Sequence, residues 1–401
     1  MGLRNINQFF EGFLKDSSLF INKKVIQSGY IPETIAHRDE QLQEVASILA
    51  PALKLDRPSN IFIYGMTGTG KTLTTRHVVD SMCSLAQKKN IPLRAAYINC
   101  KLKKVADTEY RLLAQLAREF GKTIPATGLP TDQIYSIFYE LLDAKEQIFL
   151  LILDEVDQLA KRAGDDILYN LTRINGELKR AQLCIIGISN DLVFVDRLDA
   201  RVRSSLSEEE ILFPPYNALQ IQDILRDRSK KAFKEGALKS GVLEKTAAYA
   251  AREHGDARRA LELLRVAGEL AERKGCQYIE IKHLDEAEHK IERDRLLDVT
   301  LNQPKQFQLV LYAILILASK RPSIMTGEIY EVYETLCRKV KLRPLTQRRV
   351  SDIIAEFDML GIVQAKVVSK GRYGRTRDIS LSISKTTVPR VKELLAEALE
   401  L

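Results

Sequence analysis

Five short, mostly apolar runs lie in the first half of the chain. They span residues 61–64, 95–99, 149–153, 184–188 and 210–213. Between most of these runs, apolar positions recur with the period of an α-helix. Strands that are apolar along their whole length are typical of a parallel sheet that helices cover on both faces. The pattern therefore predicts an α/β domain built on a parallel sheet.

The pattern changes after Pro214 and Pro215. Residues 217–292 show helical periodicity only, and from about residue 299 helices are followed by strands in which apolar and polar residues alternate. We therefore predict an α/β base, an all-α lid and a small C-terminal domain. The predicted domains span residues 1–215, 216–298 and 299–401.

The C-terminal segment has the layout of a winged helix. Thr346 is a suitable N-cap for a helix with one apolar face, and Gly361 is a suitable stop. Alternating segments at 363–367 and 379–383 then flank a basic turn at 369–377. A helix in the major groove and a wing against the backbone would use this layout on duplex DNA. The alternative is a winged helix that binds protein.

Basic side chains of this segment are the candidates for DNA contacts. Arg348 and Arg349 lie in the first turn of the helix, against its dipole, and could reach guanine edges. Tyr373 could pack against sugar or backbone. The candidates for phosphate or minor-groove contacts are Lys370, Arg372, Arg375 and Arg377.

The positive charge of the chain is concentrated in the same region. The 401 residues carry a formal net charge of +8. Residues 338–349 and 366–377 together hold eleven Lys or Arg and no acid, so the remainder has a net charge of about −3. This concentration favours binding of a polyanion at one place, and a solvated basic face is the alternative.

Cysteine spacing and apolar run length indicate the compartment. The five cysteines are far apart and form no Cys-x-x-Cys pair, which argues against a disulfide framework or a zinc cluster. The longest apolar run, 309–318, has ten residues and is too short to span a bilayer. The first residues form no apolar signal segment. We expect a soluble, cytoplasmic protein with no membrane partner.

Residues 65–72, GMTGTGKT, match the P-loop pattern G-x-x-x-x-G-K-[ST] in full. Backbone N–H groups of such a loop wrap nucleotide phosphates, and the following helix N-terminus adds positive potential. Lys71 would reach the β- and γ-phosphates, and the Thr72 hydroxyl would bind Mg²⁺. The predicted cofactors are therefore ATP or ADP and Mg²⁺. The predicted phosphate-site residues are Gly65, Thr67, Gly68, Thr69, Gly70, Lys71 and Thr72.

Polar residues follow two of the predicted strands. Asp154 and Glu155 follow the third strand, and Asn190 follows the fourth. The carboxyl ends of parallel strands are where ligands bind in open α/β sheets. Asp154 suits Mg²⁺, Glu155 can polarise an attacking water, and Asn190 could orient the same water. The pattern thus predicts ATP hydrolysis in addition to ATP binding.

The lid carries an arrangement that suits an anion. Asp256 is a suitable N-cap for a helix with Arg258 and Arg259 in its first turn. Cations there oppose the helix dipole by about 0.3–1 kcal/mol each. A nucleotide γ-phosphate at this end would offset that cost. The alternative is that one arginine pairs with Asp256 or with a surface acid.

Several segments in this order resemble the AAA+ ATPases. They are GMTGTGKT, LILDEVD, GISND, RLDARVRSSL, FPPY and GDARRAL. Within these ATPases the chain resembles the archaeal origin-recognition initiators, relatives of the large subunit of the eukaryotic origin recognition complex and of its licensing partner. The segment YIPETIAHRDEQL before the P-loop adds to this resemblance. The resemblance implies a parallel sheet of order 51432, a helical lid and a winged-helix domain.

The resemblance also implies roles for single residues. Asp154 and Glu155 would take the Walker B positions, Asn190 the first sensor and Arg258 the second sensor. The residues that would border adenine or ribose are Ile31, Pro32, Arg38 and Tyr216.

An arginine that reaches a neighbouring subunit's nucleotide is a further implied feature. Relatives often carry S-S-R-L, whereas this chain has Leu206 directly after its two serines, so the role would fall to Arg201 or Arg203. The segment 101–130 resembles the place of a DNA-touching insert in the family. Lys101, Lys103 and Lys104 are its candidate contacts, and a solvated helix start is the alternative.

The leading hypothesis is a replication initiator that binds origin duplex DNA sequence-specifically under the control of ATP. It would hydrolyse ATP slowly, as a reset, and help to load the replicative helicase. We expect a nucleoid-associated monomer that assembles on DNA. Two alternatives are an AAA+ motor that acts on branched junctions and a winged-helix transcriptional regulator that is indifferent to nucleotide.

Overall fold

The computed structural model describes residues 18–27, 29–101, 108–125, 128–206, 208–319, 321, 323–369, 375–382 and 388–401. The chain divides into two compact units, Met1–Leu284 and Asp285–Leu401. None of the helices in this described part of the chain combines the length and apolarity that crossing a bilayer requires.

A five-stranded parallel sheet forms the centre of the first unit. Its strands are β1 Ile61–Gly65, β2 Leu93–Asn99, β3 Gln147–Asp154, β4 Ala181–Ser189 and β5 Glu209–Phe213. Their order is β2-β3-β4-β1-β5, which confirms both the predicted parallel sheet and the order 51432. Every residue of β3 is buried, as expected for a central strand covered on both faces.

Helices cover both faces of this sheet. They are α1 Asp39–Leu49, α2 Lys71–Lys89, α3 Glu109–Glu119, α4 Thr131–Leu142, α5 Val156–Ala163, α6 Asp166–Arg173, α7 Phe194–Arg197 and α8 Ala200–Leu206, with short 3₁₀ turns at Lys23–Ile26, Ala50–Lys54 and Ile174–Gly176. Successive residues of β1 enter two different cores. Phe62 packs with the helices α3 to α8, whereas Ile61 and Ile63 pack with α1 and α2.

The lid is entirely helical, as predicted. Its helices are α9 Ala218–Ala232, α10 Val242–Arg252, α11 Ala257–Arg273 and α12 Ile281–Leu301, of which α12 continues past the boundary of the first unit. Residues 18–27 run along the lid, because Leu19, Phe20, Val25 and Ile26 are buried and Phe20 packs on Phe233 at a ring-centroid distance of 4.7 Å.

The second unit is a winged helix. Its helices are α13 Lys305–Ala318, α14 Thr326–Lys339, α15 Gln347–Met359 and α16 Val388–Leu399, and its strands are β6 Ile324–Met325, β7 Val363–Ser369 and β8 Arg375–Leu381. The strands pair antiparallel in the order β6-β8-β7. The Thr346 hydroxyl accepts from the Arg349 N–H at 3.4 Å, so the predicted cap of α15 is confirmed.

The wing differs from its prediction in length. The sequence predicted a turn over residues 369–377, and both ends of that prediction are wrong. Residues at each end belong to paired strands, because Ser369 pairs with Arg375 and Val367 pairs with Arg377. Arg375 and Arg377 therefore belong to β8 instead of a loop. The stop at Gly361 is confirmed, since its φ of +71° follows the last turn of α15.

Candidate functional site

The P-loop connects β1 to α2 at the carboxyl edge of the sheet. Gly68 has a φ of +70° and Gly70 a φ of +94°. A Cβ on Gly68 would lie 1.7 Å from Asp256 Oδ1, and one on Gly70 would lie 2.8 Å from the Tyr216 hydroxyl. Glycine is thus required at both positions by backbone conformation and by the close approach of the lid.

Lys71 lies buried beneath this loop. Its ammonium donates to the carbonyls of Gly65 and Met66 at 2.8 and 2.7 Å. The pKa of Lys71 is lowered to about 8, mainly because the ammonium is buried and also because the Arg258 charge is near it. A phosphate beside the two cations would relieve this repulsion. The electrostatics of the pocket therefore favour an anion.

Asp154 ends β3 as a buried carboxylate that faces Thr72. Its Oδ2 accepts from the Thr72 hydroxyl at 3.0 Å and from the Tyr97 hydroxyl, and its Oδ1 accepts from the Glu155 N–H at 3.0 Å. Hydroxyl and carboxylate oxygens fit the ligand preference of Mg²⁺. Within the described residues, no cluster of three His, Cys, Asp or Glu side chains could hold a metal. Thr72 and Asp154 thus suit a cation that nucleotide oxygens help to bind.

Glu155 and Asn190 lie on the same pocket as Lys71 and Asp154. Glu155 is the N-cap of α5 with a φ of 55°, a left-handed conformation that is uncommon outside glycine. Its carboxylate lies 3.5 Å from the Lys101 ammonium. The predicted hydrolytic residues are therefore brought together at the strand ends, and Lys101 contacts the carboxylate of one of them. Lys103 and Lys104 lie outside the described residues.

The start of lid helix α11 borders the phosphate pocket. Asp256 accepts from the N–H groups of Arg258 and Arg259 at 2.8 and 3.1 Å, which confirms the predicted N-cap. It also accepts from the Thr67 hydroxyl at 3.3 Å. Arg259 pairs with Glu253 at 3.1 Å. Arg258 is exposed, lines the pocket and, among the described residues, has no carboxylate partner.

A second pocket adjoins the phosphate pocket on the lid side. Pro32 and Tyr216 line it, whereas Ile31 lines the phosphate pocket. Sequence reasoning missed Tyr30, which lines both pockets. The structure thus provides a mainly apolar cleft beside the phosphate loop, of the kind that holds a nucleotide base.

Arg38 is buried and contacts residues of the P-loop and of this cleft. It is 2% exposed, and its Nε donates to the Thr69 carbonyl at 2.8 Å. Its guanidinium also bonds to the Pro214 carbonyl and stacks on Tyr216 at 3.8 Å from the ring centroid. Burial lowers the pKa of Arg38. Arg38 therefore links the P-loop backbone to the junction between β5 and the lid.

Arg201 and Arg203, the two candidates for action on a neighbouring subunit, lie on α8. Both side chains are exposed, and neither lines the two nucleotide pockets. Arg201 pairs with Asp199 at 3.0 Å, and Arg203 pairs with Asp196 at 3.1 Å. Their guanidinium groups lie on the surface of the first unit, each with an acid of the same chain.

The candidate DNA residues of the winged helix lie on α15 and β8. Arg348 is exposed and, in the described part of the chain, has no ion-pair partner. Arg349 lies 3.8 Å from Glu356, and Arg377 donates to the Ser351 carbonyl of α15 at 2.8 Å. Lys370, Arg372 and Tyr373 lie outside the described residues, as does the side chain of Arg375.

Three family models match consecutive parts of the chain. An AAA domain matches residues 55–193, the Cdc6 AAA+ ATPase-type lid domain matches residues 222–289, and the CDC6 C-terminal winged helix domain matches residues 298–391. The matches agree with the parallel sheet, the helical lid and the winged helix described above. The fold class predicted from the sequence is confirmed.

Curated relatives resemble the chain over nearly its whole length. The ORC1-type DNA replication protein of Thermococcus onnurineus is 50% identical over 391 residues, which cover 96% of this chain and 94% of that protein. The ORC1-type DNA replication protein 1 of Methanosarcina acetivorans is 50% identical over 383 residues, which cover 95% of this chain and 92% of that protein.

Solved structures show the same architecture. The Aeropyrum pernix ORC1 protein in complex with DNA has a TM-score of 0.85 at 42% identity, with 95% of this chain and 98% of that chain covered. The Aeropyrum pernix ORC2 protein in its ADPNP–ADP complexes shares the fold at a TM-score of 0.60 and 20% identity. The match covers 96% of this chain and 100% of that chain. With its AAA ATPase domain, its lid and its winged helix, the chain belongs to the family of ORC1-type DNA replication proteins.

Proposed function

We propose that this chain binds duplex DNA at replication origins sequence-specifically and that ATP controls the binding. The observation that carries the proposal is the position of Arg258. Its exposed guanidinium lines the phosphate pocket without an acidic partner among the described residues. The N-cap of the same helix, Asp256, contacts the P-loop at Thr67. A γ-phosphate bound to Arg258 would therefore change how the lid helix is held.

Within the pocket, the proposed roles follow from the contacts. Lys71 would exchange its two carbonyl partners for phosphate oxygens, and Thr72 and Asp154 would hold Mg²⁺. Bound Mg²⁺ would neutralise phosphate charge. Glu155 would accept a proton from the attacking water, and Asn190 would orient that water. We propose that hydrolysis is slow and resets the switch.

The remaining pocket residues would shape the base site. Pro32 and Tyr216 would contact adenine or ribose, because both line the cleft beside the P-loop. Ile31 would contact the nucleotide nearer its phosphates. Arg38 lines neither pocket, so we propose that it acts through the P-loop backbone that it bonds and does not border adenine or ribose itself. Arg201 or Arg203 would reach a neighbour's nucleotide after assembly on DNA, once it releases its own acid.

DNA recognition is proposed for the winged helix. The Aeropyrum pernix ORC1 structure contains DNA, and its 42% identity supports DNA binding by this chain. Arg348 and Arg349 would read base edges from the first turn of α15. Arg377 would brace the wing on α15 through its bond to Ser351, and the wing tip with Lys370, Arg372, Tyr373 and Arg375 would hold the backbone.

Partners and domain limits complete the proposal. The chain would be a monomer in solution, assemble on DNA and help to load the replicative helicase. The proposed domains span residues 1–215, 216–298 and 299–401.

The proposal is tested by competition. A labelled duplex from a replication origin of the source organism is bound with MgATP and displaced by unlabelled origin duplex, by shuffled duplex or by a four-way junction. We expect the origin duplex to compete at least about a hundredfold better than the shuffled duplex. Equal competition would contradict sequence-specific binding, and a preference for the junction would favour a branch-processing motor.

A further inference from the structure

One side chain from the neighbouring strand β2 reaches the Asp154 carboxylate. Tyr97 pairs with Ile152 of β3, and Asn99 pairs with Asp154. Because side chains alternate along a strand, Tyr97 and Asn99 point to the same face of the sheet. Tyr97 is therefore the diagonal neighbour of Asp154, and its ring is long enough to bring the hydroxyl onto Asp154 Oδ2.

The Tyr97 ring is itself held in place. The Arg76 guanidinium stacks on it with the carbon Cζ 4.0 Å from the ring centroid. Arg76 lies four residues after Thr72 on α2, so both side chains occupy the same face of that helix. Tyr97, Arg76 and Asp154 all line the phosphate pocket.

These contacts fix the orientation of the carboxylate. Oδ2 accepts hydrogen bonds from the hydroxyls of Thr72 and Tyr97. Among the described residues, Oδ1 accepts a hydrogen bond only from the Glu155 N–H. Without the Tyr97 hydroxyl, the plane of the Asp154 carboxylate is held by one backbone bond and by a threonine whose oxygen is needed for the cation. Groups that orient a metal ligand in this way affect metal affinity although they do not touch the metal.

We propose that Tyr97 is a positioning residue that holds the Asp154 carboxylate for the Mg²⁺ that accompanies ATP. The inference rests on the proposed Mg²⁺ site of Thr72 and Asp154. It concerns Tyr97 alone, which belongs to neither the P-loop nor the acidic strand end.

The test measures the Mg²⁺ requirement of ATP binding. A fluorescent ATP analogue is bound to the full chain across a range of free Mg²⁺ concentrations. For Tyr97→Phe we expect the concentration for half-maximal binding to rise about 10- to 100-fold. Binding in EDTA should remain at the wild-type level, and saturating Mg²⁺ should restore the variant. A purely structural role for Tyr97 would weaken binding equally at all Mg²⁺ concentrations.

A matched control is available on another strand of the same sheet. Tyr64 of β1 is also partly buried, and its hydroxyl bonds to none of the described residues. Tyr64→Phe should therefore retain the wild-type Mg²⁺ requirement. Thermal midpoints of both variants show whether either substitution disturbs folding.

The Asp154→Asn variant tests the proposed metal site independently of the role of Tyr97. If Asp154→Asn raises the Mg²⁺ requirement and Tyr97→Phe adds nothing in that background, the two residues act as one unit. If Asp154→Asn is effective and Tyr97→Phe alone is neutral or lowers the requirement, the role of Tyr97 is overturned while the metal site stands. If Asp154→Asn has no effect, the metal site is wrong and the inference falls with it.

Discussion

Replacing Arg258 by alanine should have two effects of opposite sign. In the free chain, the guanidinium lies at the N-terminus of α11 next to Lys71, where it opposes the helix dipole and contributes to the lowered pKa of Lys71. Its removal should raise the free energy of unfolding by about 0.3–1 kcal/mol. For a unit of this size, that corresponds to an increase of about 0.5–2 °C in the midpoint of thermal unfolding.

ATP binding should change in the other direction. A charge-assisted hydrogen bond between Arg258 and the γ-phosphate contributes about 1.5–3 kcal/mol, so its loss should weaken ATP binding about 10- to 150-fold. ADP lacks that phosphate, and its affinity should change little. The assay compares ATP and ADP dissociation constants by calorimetry and unfolding midpoints without nucleotide.

Arg259 provides the matched control. It is the next residue in the same first turn, but its guanidinium lies 3.1 Å from Glu253. Arg259→Ala should therefore leave the ratio of ATP to ADP affinity unchanged. The reasoning is refuted if Arg258→Ala keeps the wild-type ratio, or if Arg259→Ala changes the ratio as much.

Three further predictions concern pH, hydrolysis and DNA. The pKa of Lys71 is lowered to about 8 in the free chain, so Lys71 loses its charge as pH rises through that value. Nucleotide affinity should be about tenfold lower at pH 9 than at pH 7, and a flat profile by fluorescence titration would contradict this. Glu155→Gln should bind ATP normally but release phosphate about 10²- to 10⁴-fold more slowly in single turnover, whereas unchanged release would remove Glu155 from its role. Arg348→Ala should weaken origin binding by about 1–3 kcal/mol and reduce the preference for origin over shuffled duplex, whereas the exposed Lys88→Ala should change neither; an unaltered preference for Arg348→Ala would move the base-reading surface elsewhere.

Much of the architecture could be predicted because its signals are local. Mostly apolar runs overlap all five parallel strands, and buried β3 is the strongest example. The P-loop and the acidic strand end were readable because phosphate binding requires fixed residue types at fixed spacing. Short elements were missed. Strand β6 has two residues, which is too few to show a period of two.

The contacts that support the site could not be predicted, because they depend on distant segments. Arg38 bonds to Thr69 and Pro214, and no motif specifies that three-way contact. Tyr97 reaches Asp154 only because β2 and β3 pair in the observed register. The wing was predicted with too long a turn, since pairing of Arg375 with Ser369 overrides the glycines and charges that suggest a loop.

The proposed function requires that the bound nucleotide controls the affinity of the chain for DNA. The most direct test measures the affinity of the full chain for an origin duplex at one salt concentration, first with MgATP and then with MgADP. We expect the two dissociation constants to differ about 5- to 150-fold, and the difference to disappear in Arg258→Ala. Equal affinities in the wild-type chain would contradict the account.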